Sequence, residues 1–393
     1  MKNIYLDNSA TTKTDEEVVK AMLPYLSENY GNPSSIYSIG QTARKAVEES
    51  RETVASILNC SPNEIYFTSG GSESDNTIIK GIAYSYKNKG NHIITSKIEH
   101  PAVLETCKQL EKEGFEVSYI NVDSNGIVDL KELEEAIKPS TILISIMFAN
   151  NEIGTIEPIK EIGQIAKSHG VIFHTDAVQA VGSINIDVQD MNIDSLSLSA
   201  HKFYGPKGVG ALYVRKGVKF TKYINGGHQE KNKRAGTENV AGIVGLAKAL
   251  EISHRDMEKH NKQIKELRDY YVQEVKQKIP YIKINGDLEK RLPGNSNISF
   301  RFIEGESLLL NLDLKGICAS SGSACTSGSL DPSHVLLAIG LPHEIAHGSL
   351  RISIGKYNTK EEIEYTVSCL TEIVQRLRDM SPLWEKFIEE ENK

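Results

Sequence analysis

The sequence predicts an α/β protein, with a large domain built on a mostly parallel sheet covered by helices and a smaller α+β domain after it. Three observations carry this reading. Over the N-terminal two thirds, short apolar runs alternate with amphipathic helical stretches, the pattern of β-α-β units. Thr141–Phe148 is one continuous apolar run, as strands covered on both faces tend to be. After about residue 260 the texture shifts to a long charged helix followed by a strand, a helix, a strand and a helix.

The elements follow in order. Glu64–Thr68 reads as a strand and Ser72 to about Lys87 as a helix. His92–Thr95 is a second strand. Pro101 sits at a first helical position before Ala102–Glu113, where its missing N–H costs nothing. The apolar run at 141–148 precedes a helix over Pro158–Ser168, capped near Gly170, and a strand over Val171–Thr175. Ser195–Ser199 and Val209–Val214 are further strands. His260–Lys278 is the long charged helix, followed by strand Asn297–Phe302, helix Glu306–Leu312, strand Leu350–Ile354 and helix Thr359–Met380.

Composition narrows the function classes. The 393 residues, 39% hydrophobic and 25% charged, suffice for two domains with their own cores. A balance of 45 basic against 52 acidic residues, net −7, argues against nucleic acid or an anionic membrane as partner. No apolar run approaches the roughly 18–20 residues of a membrane span. The N-terminal Met1–Asp7 carries an acid where a signal peptide would be apolar. Cys60, Cys107, Cys318, Cys325 and Cys369 include no C-x-x-C pair, so free thiols in a cytoplasmic protein are expected.

In an open α/β sheet, ligands lie beyond the carboxyl ends of the strands. Thr68-Ser69-Gly70-Gly71-Ser72-Glu73-Ser74-Asp75 is one such end: a glycine turn feeding a helix N-terminus is an anion cradle, with Ser72 as cap and Asp75 at the capping-box position. An ordinary capped turn would look the same. At His174-Thr175-Asp176-Ala177-Val178-Gln179 an acid follows a buried strand, suited to capping a helix or to holding a cationic ring nitrogen. Ser197-Leu198-Ser199-Ala200-His201-Lys202 ends an apolar strand in a lysine, where desolvation favours amine chemistry over a solvated charge. An anion cradle, a strand-end acid and a strand-end lysine together are what pyridoxal phosphate requires. Ala319–Ser329 is small and polar and has no large apolar anchor, so it is expected to be mobile, with Cys325 exposed on it.

One motif competes. His343-Glu344-Ile345-Ala346-His347 matches the zinc-protease pattern. It is pinched between Leu341-Pro342 and Gly348, no third histidine follows at a suitable spacing, and no metal site is expected.

Further segments sharpen the reading. They are Tyr5–Thr12, Gly31–Ser35, Ser69–Asn76, Glu99–Val103, Asn150–Gly154, Asp176–Gln179, Ser199–Lys202, Arg234–Thr237, Ser320–Ser327 and Arg351–Gly355. Taken in order, they make the chain resemble the cysteine desulfurases of fold-type I, relatives of the class V aminotransferases, and within these the group of the NifS and IscS enzymes. The resemblance implies a large domain over 15–260 with a seven-stranded sheet. It implies a small domain formed by 1–14 and 261–393 that carries a mobile cysteine loop at about 318–332. By the same resemblance Lys202 holds pyridoxal 5'-phosphate as a Schiff base, His100 stacks on its ring and transfers protons, Asp176 pairs with the ring nitrogen and Gln179 with the ring hydroxyl. Gly71, Ser72, Ser199 and His201 take the phosphate, with Thr237 reaching in from the second copy of a homodimer. Asn151, beside the cofactor, and Arg351 hold the substrate carboxylate.

The implied reaction turns L-cysteine into L-alanine and leaves a persulfide on Cys325. That sulfur passes to an acceptor such as an IscU-like scaffold for Fe–S clusters or a tRNA-thiolation enzyme. Selenocysteine lyase or another C–S lyase is the alternative. Trp384, in Leu377–Glu385, reads either as a cap on the last helix or as part of a scaffold-binding tail.

Overall fold

The computed structural model describes residues 3–321 and 332–391. Twelve strands occur among them: β1 (Ile4–Tyr5), β2 (Ile65–Thr68), β3 (His92–Ser96), β4 (Glu116–Ile120), β5 (Thr141–Ser145), β6 (Ile172–Asp176), β7 (Ser195–Ser199), β8 (Gly210–Val214), β9 (Ile282–Ile284), β10 (Asn295–Phe300), β11 (Ile317–Cys318) and β12 (Ser349–Ser353). Seven form the main sheet in the order β2-β8-β7-β6-β5-β3-β4. Only β8 runs against its neighbours β2 and β7; the other pairs are parallel. The carboxyl ends of β2, β6 and β7 therefore open on one edge, at Thr68, Asp176 and Ser199.

Alternation along the strands feeds two apolar cores. Ile94, Ile144, Ala211 and Tyr213 enter one, whereas Ile93, Leu143 and Leu212 enter the other. All five residues of β7, Ser-Leu-Ser-Leu-Ser, are buried. Two of its serines are satisfied internally: Ser195 Oγ donates to the Tyr213 carbonyl at 2.8 Å, and Ser197 Oγ lies 3.1 Å from His174 Nε2.

A third core gathers Leu6, Ile264, Tyr271, Ile298, Phe300, Leu350, Ile352 and Leu370 around the antiparallel sheet β9-β10-β12. The N-terminal residues belong to it, because β1 pairs in parallel with β11. A smaller cluster joins Ile98, Met147 and Ile153 to Val335, Leu336 and Ile339.

Several expectations need correction. The helix after β2 is Gly71–Tyr86, and its cap position is Gly70, at φ +151°, without a side-chain cap bond. Ser72 is thus inside the first turn, and Asp75 is turned inward and buried. Both capping roles given to them fail because a backbone only glycine adopts readily starts the helix one residue earlier. Asp176 is the last residue of its strand. β4 was not expected; it forms the sheet edge, and its residues are exposed or only partly buried up to Ile120, which blurs the apolar run. His343–His347 does form a helix, of five residues, and β12 begins two residues later. No group of three or more His, Cys, Asp or Glu side chains with metal-holding geometry occurs among the described residues.

Candidate active site

The strand ends converge on a cavity of about 350 Å³. Gly71, Ser72, His100, Asn151, Asp176, Gln179, Ser199, His201, Lys202 and Arg351 all line it. These residues come from the seven-stranded sheet, the β9-β10-β12 sheet and the turns and loops between, up to 280 positions apart, so only the fold brings them together. Two predicted residues are not there. Thr237 is exposed and lies outside this lining, and Cys325 lies outside the described residues.

Lys202 closes a single 3₁₀ turn, Ala200–Lys202, directly after β7. Its Nζ donates to the carbonyl oxygens of Ala10, at 2.9 Å, and Ser9. Gln179 Nε2 also donates to the Ser9 carbonyl, at 3.0 Å. The N-terminal segment is thus one wall of the site.

Asp176 lies at the bottom. Burial pushes its carboxyl above the usual range, while His100, the Val178 N–H (2.9 Å to Oδ1) and Lys202 pull it back down. A cationic nitrogen placed against it would hold it ionised. His100 is the N-cap of helix Pro101–Lys112, its Nδ1 accepting the Ala102 N–H at 3.1 Å. The neutral ring therefore carries its proton on Nε2. Burial lowers its pKa; nearby Asp176 opposes this and Lys202 adds to it.

At the other end Gly71 and Ser72 present backbone N–H groups at a helix start, while the Gly70 N–H is donated to Thr68 Oγ1 at 3.3 Å. A Cβ on Gly71 would fall 2.6 Å from Val178 Cγ2, so the turn and the Asp176 loop can approach this closely only through glycine. His201 stands beside them, its Nδ1 3.1 Å from Thr11 Oγ1. Burial, with Lys202 and Lys207 nearby, pushes it down to about 4, so it is neutral at pH 7. Arg351, 2% exposed, donates to Asp7 at 2.8 Å and to the Asn151 carbonyl at 3.1 Å, while its Nε is buried with no partner. That unsatisfied donor suits an incoming carboxylate.

Sequence reasoning missed four lining residues. Glu99 is fully buried, with Oε1 accepting from Ser96 Oγ at 2.6 Å and Met147 N at 2.9 Å; burial raises its pKa. Glu152, raised to about 7 by burial, accepts from Ser333 Oγ. His334 Nε2 lies 3.0 Å from the Glu99 carbonyl oxygen. Asp75, also raised by burial, has Oδ1 3.7 Å from His174 Nε2. Glu99, Asp75 and Glu152 stand inside the quoted segments, but nothing local distinguishes an inward acid from a surface one.

The chemistry of these donors fits pyridoxal phosphate: an amine, a buried acid at one end and helix-start N–H groups with a neutral imidazole at the other. Comparison with known proteins agrees. The family model of aminotransferase class-V matches residues 4–366. Cysteine desulfurase IscS of Clostridium botulinum (strain Hall) is 58% identical over 98% of each chain. Among solved structures, a NifS-like protein covers 95% of this chain and all of its own at 42% identity and a TM-score of 0.90. SspA in complex with cysteine covers 91% of this chain and all of its own at 38% identity and a TM-score of 0.80. The sheet order and helix cover are those of fold-type I enzymes. From the strand-end lysine to the full-length similarity, these findings agree that the chain belongs to the aminotransferase class-V family, on its cysteine desulfurase branch.

Proposed function

We propose that the protein binds pyridoxal 5'-phosphate on Lys202 and desulfurates L-cysteine to L-alanine in the cytoplasm, Cys325 receiving the sulfur as a persulfide. The observation that carries this is the convergence of Lys202, Asp176, His100 and the Gly71-Ser72 helix start on one cavity with Arg351 at its wall. Pyridoxal phosphate, when bound, supplies the electron sink that loosens the Cα–H and Cβ–S bonds of cysteine.

The chain's own residues do the rest. With pyridoxal phosphate bound, Asp176 would keep the ring nitrogen cationic and Gln179 would hold the ring hydroxyl. Gly71, Ser72, Ser199 and His201 hold the phosphate, completed by Thr237 of a second copy. Arg351 and Asn151 bind the substrate carboxylate. His100 holds and hands over a proton at Nε2, its other nitrogen being engaged by Ala102. The Cys325 thiolate attacks the substrate sulfur; the Cβ–S bond breaks, alanine leaves, and the persulfide serves an acceptor such as an IscU-like scaffold or a tRNA-thiolation enzyme. The division into 15–260 and 1–14 with 261–393 belongs to this reading. It is supported by Leu6 sharing a core with Ile264 and Leu370.

Two expectations arise here. Arg351→Gln raises KM for L-cysteine by about tenfold or more with a smaller change in kcat, because it removes the fork that grips the carboxylate. An unchanged KM would refute the assignment. The second concerns pH. His100 works as a neutral ring, and burial holds its pKa below the usual value of 6.5. The limb that His100 contributes to the pH profile of alanine release should therefore be centred below pH 6.5. A limb centred at or above pH 7 that disappears in His100→Asn would contradict this.

The whole reading is tested on the purified protein by its visible spectrum, followed by alanine and sulfide assays with L-cysteine and a reductant. A protein that gains no visible band with pyridoxal phosphate refutes it.

A further inference from the structure

The anion cradle has a carboxylate built into its rim. Glu73 is the third residue of helix Gly71–Tyr86 and is buried. It lines a second cavity of roughly 410 Å³, together with Ser72, Ser199, His201 and Lys207, that shares the cradle residues with the main site. A negative charge there opposes any phosphate seated on the Gly71 and Ser72 N–H groups.

Two contacts engage that charge. Glu73 Oε2 accepts the Ser69 N–H at 2.8 Å, closing the glycine turn on itself. Arg234 grips both oxygens, Nε to Oε1 at 2.8 Å and NH2 to Oε2 at 3.1 Å. Burial alone would raise the Glu73 pKa, but the Arg234 and Ser69 hydrogen bonds outweigh it and hold the group below the usual carboxylate range. The carboxylate is therefore charged at pH 7.

Arg234 is itself held in place from the other side. It follows three successive non-glycine residues in left-handed conformation: Glu230 (φ +44°), Lys231 (+55°) and Asn232 (+62°). Such a run persists only where contacts over-determine it. Here Glu230 binds Arg51 through two bonds of 2.8 Å and accepts the Phe67 N–H at 2.8 Å. Phe67 is on β2, the strand that ends in the cradle. The segment is thus tied to the cradle by the Arg234–Glu73 pair and, through Glu230, to Arg51 and to the strand that leads into the cradle.

We propose that Arg234 is a positioning residue for the cofactor phosphate: by neutralising Glu73 it lets Glu73 pin the glycine turn without repelling the anion seated on that turn. This rests on the assignment of the cavity to pyridoxal phosphate. The test strips the full chain of cofactor and titrates it with pyridoxal 5'-phosphate and with pyridoxal, which lacks the phosphate, following the visible band.

Arg234→Gln should weaken pyridoxal phosphate about tenfold or more and pyridoxal less than about twofold. Glu73→Gln keeps an acceptor for Ser69 N–H, and should bind pyridoxal phosphate at least as tightly as the unaltered chain. The double variant should return to within about threefold of the unaltered chain, since the charge to be neutralised is gone. Equal loss of both ligands in Arg234→Gln, no recovery in the double variant, or a tenfold loss in Glu73→Gln each overturns the proposal. If Arg234→Gln does not fold, the other two variants still decide it. An unaltered chain that takes neither ligand refutes the cofactor assignment instead.

Discussion

Lys202→Ala is expected to lower alanine formation from L-cysteine by at least about a thousandfold, because the amine that carries the cofactor has no substitute in the cavity. Lys202 closes the 3₁₀ turn that follows β7, and its Nζ is held by two backbone carbonyls from residues 9 and 10. Alanine leaves those carbonyls to water without disturbing β7. The variant should fold, bind pyridoxal phosphate without a covalent link, and release it on dialysis. Lys202→Arg keeps the charge and removes the chemistry, so it should be equally inactive. Steady-state alanine assays and the visible spectrum decide it; either variant within tenfold of the unaltered chain would end the assignment.

Glu230→Ala should destabilise the fold by about 3 kcal/mol, the low end of the cost of taking a buried charge away from its buried partner. Arg51 and Glu230 are each 3% exposed at the side chain. The substitution strands the Arg51 guanidinium and takes away the acceptor of the Phe67 N–H. Arg51 keeps the half-exposed Glu48 (Nε to Oε2 3.3 Å), the Ile65 carbonyl at 2.8 Å and its place over the Phe67 ring, which soften the loss without replacing the buried two-bond partner. The double change Arg51→Met with Glu230→Leu should be clearly more stable than Glu230→Ala, since apolar pairs of similar volume often replace a buried ion pair at little cost. Urea unfolding followed by circular dichroism measures both. A loss below about 1 kcal/mol in the single variant would show that water reaches the site.

How much was legible depended on the reach of each signal. Strands such as Thr141–Ser145 and Ser195–Ser199 stand out because local composition and spacing decide them. The edge strand Glu116–Ile120 did not, since partial exposure mixes its residues. The helix start at Gly71 was placed one residue late because its cap is a backbone geometry and leaves no capping side chain to read. Lys202, Asp176 and the glycine turn were readable, since each sits at the end of a recognisable strand. Arg234, Glu99 and Glu152 were not given roles, because their importance comes from partners 48 to 181 positions away.

The pairing of β1 with β11 has a consequence for biosynthesis. Ile4 and Tyr5 add their backbones beside Ile317 and Cys318, Asn8 N–H bonds the Ser353 carbonyl, and Asp7 binds Arg351. Residues 9 and 10, which hold Lys202, hang from that seam. On the ribosome the main sheet has all its strands once Val214 has emerged, but the seam must wait for Ser353. The nascent chain therefore carries Lys202 for well over a hundred codons before the wall that orients it exists, so on the proposed function cofactor capture would be an event of late translation or after release.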